Sequence, residues 1–309
     1  MTRFDVLGIG CAAVDDCIYI SGLPPTDGKV RVLARSRDFG GIAATALAAA
    51  ARLGASCRFA GLLGDDPDSI AVVRDLRRAG VVVSRTTRSH DARPIRSTIV
   101  TSVDQATRAI YFEDSFVAGA DPAIPETTIR RARVLLVDGY GIEGSLRASQ
   151  IARNAGIPIV ADFEVLDNAG LPQLLELVDH LILSANFAGN LTGAVQPADS
   201  LRALWNDARK LVAITDGASG CWVMTSDNPE LVRVPAYEVI PLDTTGCGDV
   251  FHGAYAAALA FGYPLLGAIG FANIAAALKA TRKGTRQALP TRAEVESHLS
   301  IDDRRLVTR

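Results

Sequence analysis

Pro241-Leu-Asp-Thr-Thr-Gly-Cys-Gly-Asp-Val-Phe-His-Gly-Ala-Tyr255 places two glycines and two acids around a turn and then runs straight into an apolar helical segment. Gly246 and Gly248 open backbone conformations closed to other residues, so successive N–H groups can converge on one point. A helix starting near Asp249 adds its own unpaired N–H groups and the positive end of its dipole. Such a cluster suits an anion, above all one whose charge grows during a reaction. Asp249 stands at the mouth, where a carboxylate can take a proton from a hydroxyl. A base beside an anion hole is the minimum apparatus of phosphoryl transfer to an alcohol. The same residues also fit a glycine turn with Asp249 as a plain N-cap, so the rest of the chain decides.

The 309 residues are 49 % hydrophobic and 21 % charged, with a net charge of −2. That balance belongs to a globular chain with room for one large α/β domain, alone or with a subdomain. It leaves no basic footprint for nucleic acid. Five scattered cysteines without a Cys-x-x-Cys pair argue against a disulfide framework or a zinc site and fit a reducing cytoplasm. Residues 1–8 lack the apolar run of a signal peptide. The apolar run 254–278 is interrupted by Gly262, Pro264 and Asn273, so it reads as two buried helices and not as a membrane span.

Residues 4–10 predict a short apolar strand ending in glycines. Residues 15–20, 29–37 and 95–112 are rich in β-branched side chains and partly alternate, the pattern of a small sheet with one wet face. Residues 42–53 are nearly all alanine and predict a buried helix able to approach its neighbours closely. A strand at 56–63 and a helix at 68–79 follow. Strands at 134–138, 157–161, 180–184 and 211–216 then alternate with helices at 146–155 and 197–206, which implies a parallel sheet covered on both faces. A hairpin is predicted over 222–225 and 231–235, then two helices and a charged C-terminal tail. The predicted fold is α/β: a doubly wound, mostly parallel sheet with helices on both faces and a small β-sheet lid. Residues 1–11, 38–88 and 118–309 would form the large domain, and 12–37 and 89–117 the lid. Ligands in such sheets bind beyond the C-terminal strand ends, where Asp15, Gly40-Gly41, Asp65-Asp66, Asp138, Asp162, Asn186 and Asp216-Gly217 fall.

Two other phosphate-binding patterns fail. Between Gly22 and Gly28 lie five residues where a P-loop has four, and Val30 stands where Ser or Thr should be. Gly8-Ile-Gly10-Cys-Ala-Ala13 fits a dinucleotide fingerprint, but strand-like residues follow it instead of a helix. Asp65-Asp66 fits a helix cap and a site edge alike.

With residues 40–54 added, the chain resembles the ribokinase-like (PfkB) carbohydrate kinases over nearly its whole length. Asp243, Thr244, Gly246, Gly248 and Asp249 match the signature Asp-Thr-x-Gly-x-Gly-Asp. Gly40-Gly41 leading into Ala50-Ala51-Arg52-Leu53-Gly54 matches the Gly-Gly signature, and similar elements stand at 64–66, 215–220 and 282–290. The resemblance implies Asp249 as general base and the backbone of Gly246, Cys247 and Gly248 as anion hole. It implies Asp15 and Gly40-Gly41 on a sugar, with Thr45, Lys29 and Arg96 as further substrate-binding candidates. Asn186, Thr215, Gly217 and Gly220 would lie along the nucleotide and Asn273 near its base. The implied cofactors are ATP and Mg2+, the metal riding on the phosphates, and K+ or another monovalent cation at Asp243 and Thr245.

Three residues depart from the family pattern. Thr45 stands at the usual substrate-binding Asn, Gly189 replaces the Glu of Asn-x-x-Glu after Asn186, and Cys247 replaces a smaller residue, usually Ala. Within the family the motifs look most like those of sulfofructose kinases, with Lys29 at a matching position. Phe112 and Tyr140 stand where that group's sulfonate contacts would align, so the sulfonate is not carried over. Lys29, Arg31, Arg93, Arg96 and Arg108 fall in or beside the lid. Two or three of them converging would hold a remote anionic group, whereas scattered they only solvate the surface.

The expected function is ATP-dependent phosphorylation of a hydroxymethyl group on a small sugar, ketose, sugar acid or phosphosugar. A nucleoside kinase and a degenerate sugar-binding sensor are the alternatives. The expected partner is a small-molecule sugar, with no nucleic acid and no membrane. A homodimer through the lid is also expected, its outer face carrying Val32, Ile99 and Ile110.

Overall fold

The alternation of short apolar strands and helices determines how the chain layers itself. The computed structural model describes residues 3–24, 27–83, 89–105, 107–113 and 117–299; the tail expected at the C-terminus lies outside them. The chain begins with β1 (Phe4–Ile9), β2 (Ala13–Ile20), β3 (Val32–Gly40), α1 (Ile42–Arg52), β4 (Cys57–Phe59), α2 (Pro67–Arg78), β5 (Val82–Val83), β6 (Ile95–Ser102) and β7 (Thr107–Glu113). It continues with α3 (Glu126–Ile129), β8 (Ala132–Asp138), α4 (Ile142–Asn154), β9 (Ile159–Asp162), α5 (Leu171–Leu177), β10 (His180–Ser184), α6 (Ala185–Thr192), α7 (Pro197–Leu204) and β11 (Leu211–Thr215). β12 (Cys221–Thr225), β13 (Val232–Val234), α8 (Cys247–Ala260), α9 (Leu265–Ala280) and α10 (Arg292–Ser297) complete it.

Nine strands form one sheet in the order β13-β12-β11-β10-β9-β8-β1-β4-β5. It is parallel from β5 to β11, and the predicted hairpin of β12 and β13 closes it antiparallel. Strands covered on both faces read as unbroken apolar runs. Along β8, Val134 and Leu136 join the core under α1, α8 and α9, while Leu135 and Val137 join the core under α4 and α5. Small residues bring the first group of helices close. The whole stretch Ile42–Ala50 of α1 is buried, and a Cβ on Gly253 of α8 would strike the Ala46 carbonyl.

A second sheet has the order β3-β2-β6-β7. Its register puts Asp15 between Asp38 and Ser97, and Cys17 between Ser36 and Ile99. Period-two alternation gathers these side chains on one face. Ile99, and Ile110 opposite it on β7, therefore share the face of Asp15 and Cys17 and not the outer face expected for them. Four unforeseen helices, α3, α5, α6 and α10, have four, seven, eight and six residues, too few for a 3.6-residue apolar repeat to show in sequence. Among the described residues no helix is long and apolar enough to cross a membrane.

Candidate active site

The parallel strands end along one edge of the large sheet, and α8 packs across β1, β8 and β9 so that its first turn meets that edge. The helix begins at Cys247, capped by Gly246 in the left-handed conformation (φ 75°), with no side-chain cap. Asp249 is thus the third residue of the helix and not its N-cap, which corrects the capped-turn alternative and leaves its carboxylate available. The Cys247 N–H donates to the Thr244 carbonyl at 3.2 Å, so it is not a fully available donor; those of Gly246 and Gly248 have no backbone acceptor among the described residues. A Cβ on Gly246 would stand 3.0 Å from Thr285 Cγ2 and 3.6 Å from Thr45 Cγ2, so the loop is closely walled.

Burial, reinforced by Asp162 and Glu164, raises the Asp249 carboxyl well above the usual carboxylate range, with Arg286 opposing. A base so raised takes a hydroxyl proton more readily. One turn on, His252 Nδ1 lies 2.8 Å from the Gly248 carbonyl and 2.9 Å from Asp162 Oδ2, and Nε2 lies 2.9 Å from the Ile182 carbonyl. Both ring nitrogens face oxygen acceptors, so both carry protons. Burial alone would lower its pKa, but the charge and hydrogen bond of Asp162 and the two carbonyls raise it to about 9. Asp138 is committed to the backbone: it accepts the N–H groups of Cys11 (2.8 Å), Tyr140 (2.9 Å) and Ala43 (3.3 Å). Burial nevertheless raises it to about 7.

Between the small sheet and the 242–245 and 283–285 loops lies a cavity of about 160 Å³, lined among others by Asp15, Tyr19, Asp38, Asp243 and Lys283. Burial raises Asp15, a hydrogen bond from Ser97 pulls it back and Asp38 pushes it up again, to about 6. Lys283 Nζ sits 4.0 Å from the centroid of the Tyr19 ring. Gly40 and Gly41 are required by space, since a Cβ on Gly40 would strike the Asp15 carboxylate and one on Gly41 (φ 90°) the Ala12 backbone. Thr45 is fully buried, and its Oγ1 has no hydrogen-bond partner among the described residues.

The basic lid residues do not converge there. Lys29, Arg31 and Arg93 are exposed, and Arg96, opposite Val14, takes the outer face, 3.5 Å from Asp68. The Arg108 side chain lies outside the described residues. Lys29 and Arg96, expected as substrate-binding residues, do not line this cavity, and the lysine that does is Lys283.

On the other side of α8, Thr215 ends β11 beside Ser184 of β10, with its Oγ1 donating to the Leu183 carbonyl at 3.3 Å. Gly217 (φ 50°) and Gly220 (φ 89°) frame one helical turn behind it, and Asn186 is exposed in the first turn of α6. Asn273 Nδ2 donates to the Pro235 carbonyl at 2.7 Å, pinning the segment after β13.

Asp243 holds the loop from behind. Its Oδ1 accepts the Thr245 N–H at 2.9 Å and its Oδ2 the Gly284 N–H at 3.0 Å. The Lys279 ammonium donates to its carbonyl at 2.9 Å. Among the described residues no group of three or more His, Cys, Asp or Glu could hold a metal ion.

Residues 8–292 match the model of the pfkB family of carbohydrate kinases. The chain belongs to that family. The ribokinase of Bacillus subtilis is 31 % identical over 84 % of this chain and 87 % of its own length. Fructokinase-2 of rice, Oryza sativa subsp. japonica, is 27 % identical over 84 % of each. A solved ribokinase-type structure from Agrobacterium tumefaciens, 29 % identical, superimposes with a TM-score of 0.88 over 99 % of both chains. As a PfkB carbohydrate kinase this protein is a phosphotransferase with an alcohol acceptor.

Four residues around the PfkB site escaped the sequence reading. Asp38 is visible only through strand register and Lys283 only through its stacking on Tyr19. His252 lies inside the signature stretch but carries no spacing of its own. Lys279 could have been noticed as the first charge after the apolar run 265–278, although a lysine closing a helix ordinarily serves the dipole.

Proposed function

We propose that this PfkB kinase phosphorylates a hydroxymethyl group of a small neutral sugar with ATP, using Asp249 as general base. The observation that carries this reading is the start of α8. A carboxylate with a raised pKa sits there in the first helical turn, beside the Gly246 and Gly248 amides, which have no backbone acceptor among the described residues. The sugar would occupy the cavity, its hydroxyls donating to Asp15. The acceptor hydroxyl gives its proton to Asp249 as its oxygen bonds to the γ-phosphorus and the bond from that phosphorus to the β–γ bridging oxygen breaks, releasing ADP. The amides and the helix dipole stabilise the charge on the phosphoryl oxygens. Asn186, Thr215, Gly217 and Gly220 would flank the nucleotide. Mg2+ bound with ATP neutralises phosphate charge; Glu164, exposed yet close enough to raise Asp249, would meet its water shell.

A neutral substrate is favoured because the cavity has three carboxylates, Asp15, Asp38 and Asp243, against one lysine. An anionic sugar would be repelled. The cavity is also smaller than the roughly 300 Å³ at which drug-sized sites begin, and the ring of Tyr19 is already covered by Lys283, which argues against a nucleoside. The small sheet (12–37 and 89–117) serves in this reading as a lid on the large domain (1–11, 38–88 and 118–309). A second copy would cover exposed Ile110 and Phe112, in a cytoplasmic setting.

ADP release measured over pentoses, ketohexoses, sugar acids, phosphosugars and nucleosides tests the reading. Neutral sugars should be turned over at least ten times more efficiently than their anionic analogues. Preference for an anionic sugar or a nucleoside would overturn the substrate class, and tight sugar binding without ADP release from any acceptor would favour the sensor.

A further inference from the structure

Lys279 is fully buried, at 0 % exposure, in the last turn of α9. An ammonium taken out of water is costly, and an apolar side chain of similar volume is ordinarily the more stable choice. Its surroundings have the parts that such a charge requires. Nζ donates to the Asp243 carbonyl at 2.9 Å and lies 3.9 Å from Asp243 Oδ1. The C-terminal end of α9 turns its negative pole toward the same place. Burial would raise the Asp243 carboxyl, but the N–H groups of Thr245 and Gly284, and then Lys279, hold it below its ordinary value.

The same knot fixes the loop that enters α8. The Leu242 and Asp243 N–H groups both donate to the Ala280 carbonyl, at 2.7 and 3.0 Å, and Thr245 and Gly284 converge on the two Asp243 carboxylate oxygens. Residues 242–245 are thereby sewn to the end of α9, and Gly246 follows directly. A monovalent cation was expected at Asp243 and Thr245. The residues present do not fit a free ion, because the Asp243 carbonyl already accepts from the ammonium, which also sits beside the carboxylate.

We propose that the Lys279 ammonium is a tethered cation standing in place of an exchangeable K+, and that through Asp243 it positions the Gly246 and Gly248 amides. The role is that of a positioning residue, acting through the loop and not on substrate. This chain would then be indifferent to the monovalent cation in its buffer. The inference rests on the kinase reading for its catalytic consequence, although not for its geometry.

The test has a catalytic and a thermal arm. Turnover of the wild-type protein, with the best acceptor from the panel above, is compared in 100 mM K+ and in tetramethylammonium at equal ionic strength. Less than a threefold difference is expected, and a larger stimulation by K+ overturns the proposal. Lys279→Ala should lose at least 100-fold in kcat in tetramethylammonium, with the acceptor KM little changed. K+ or methylammonium should restore at least tenfold of that loss. A folded variant that no small cation restores overturns the tethered-cation role, since a lost packing contact would not respond to K+. Melting temperature is read in the same buffers. The wild type should melt alike in both, and Lys279→Ala should melt higher in K+. If no acceptor is turned over, the kinase reading has failed, while a wild type whose melting temperature rises specifically with K+ refutes the tether by itself. If Lys279→Ala does not fold, the wild-type comparisons still decide.

Discussion

The start of α8 and the cavity under the small sheet handle charge differently. Around the start of α8 the two groups that support the base have dedicated partners: His252 is held by Asp162 and two backbone carbonyls, and Asp243 by Thr245, Gly284 and Lys279, while Asp249, raised by burial and by Asp162 and Glu164, is left for the chemistry. In the cavity Asp15 and Asp38 lie side by side on paired strands, each raised by burial first and then by neighbouring acids. The first region is prepared before any ligand arrives, as stabilisation of a transition state requires. The second holds a repulsion that hydroxyl donors from a bound sugar would relieve. Substitutions should therefore divide: those at α8 act on kcat, and those under the small sheet act on KM.

The largest effect is expected from Asp249→Asn, which removes the base while preserving shape. It should lower kcat by roughly 10²–10⁴-fold and leave ATP affinity, measured by calorimetry, within about threefold of wild type. Full activity in this variant would remove Asp249 from the chemistry. Asp15→Asn comes next. Loss of a hydrogen bond to a charged group costs about 1.5–3 kcal/mol, or roughly 10- to 100-fold in sugar KM, with kcat nearly unchanged. Because Asp15 titrates near 6, the wild-type sugar KM should rise as pH falls through that value, and Asp15→Asn should flatten the rise. A variant that instead lost kcat as Asp249→Asn does would abolish the division between the two regions.

The sequence shows the first region far better than the second. Gly246, Gly248 and Asp249 are contiguous, and their chemistry follows from backbone freedom and helix polarity, both local properties. The nine-stranded sheet was legible for a related reason: its strands are short apolar runs, and alternation with helices leaves few topologies. The cavity depends on strand register. Asp38 faces Asp15, and Ile99 faces inward, only because of pairings between segments up to 82 residues apart, which no local pattern encodes. Arg96 stands away from the cavity for the same cause: paired with Val14, it lies one step of register from the face of Asp15. Lys279 and His252 were missed because their partners, Asp243 and Asp162, become neighbours only after α9 and β9 have packed.

The smallest effect concerns how tightly the first region is locked, and it is read by stability instead of rate. The folded pKa of His252, about 9, stands above its ordinary 6.5, so the folded state binds this proton more strongly than the unfolded chain does. The stabilisation is fully present below about pH 6.5 and is lost as pH rises through 9. Between pH 7 and 8 the loss should be about 1 kcal/mol, or on the order of 2 °C in melting temperature for a chain of this size. Other groups titrate nearby, Asp138 among them, so the quantity to compare is the slope of melting temperature against pH in wild type and in His252→Asn. Asparagine does not titrate, and the slope between pH 7 and 9 should flatten. An unchanged slope would mean that Asp162 and the Gly248 carbonyl do not hold an imidazolium. The first turn of α8 would then be fixed from behind, through Asp243, and not from beneath.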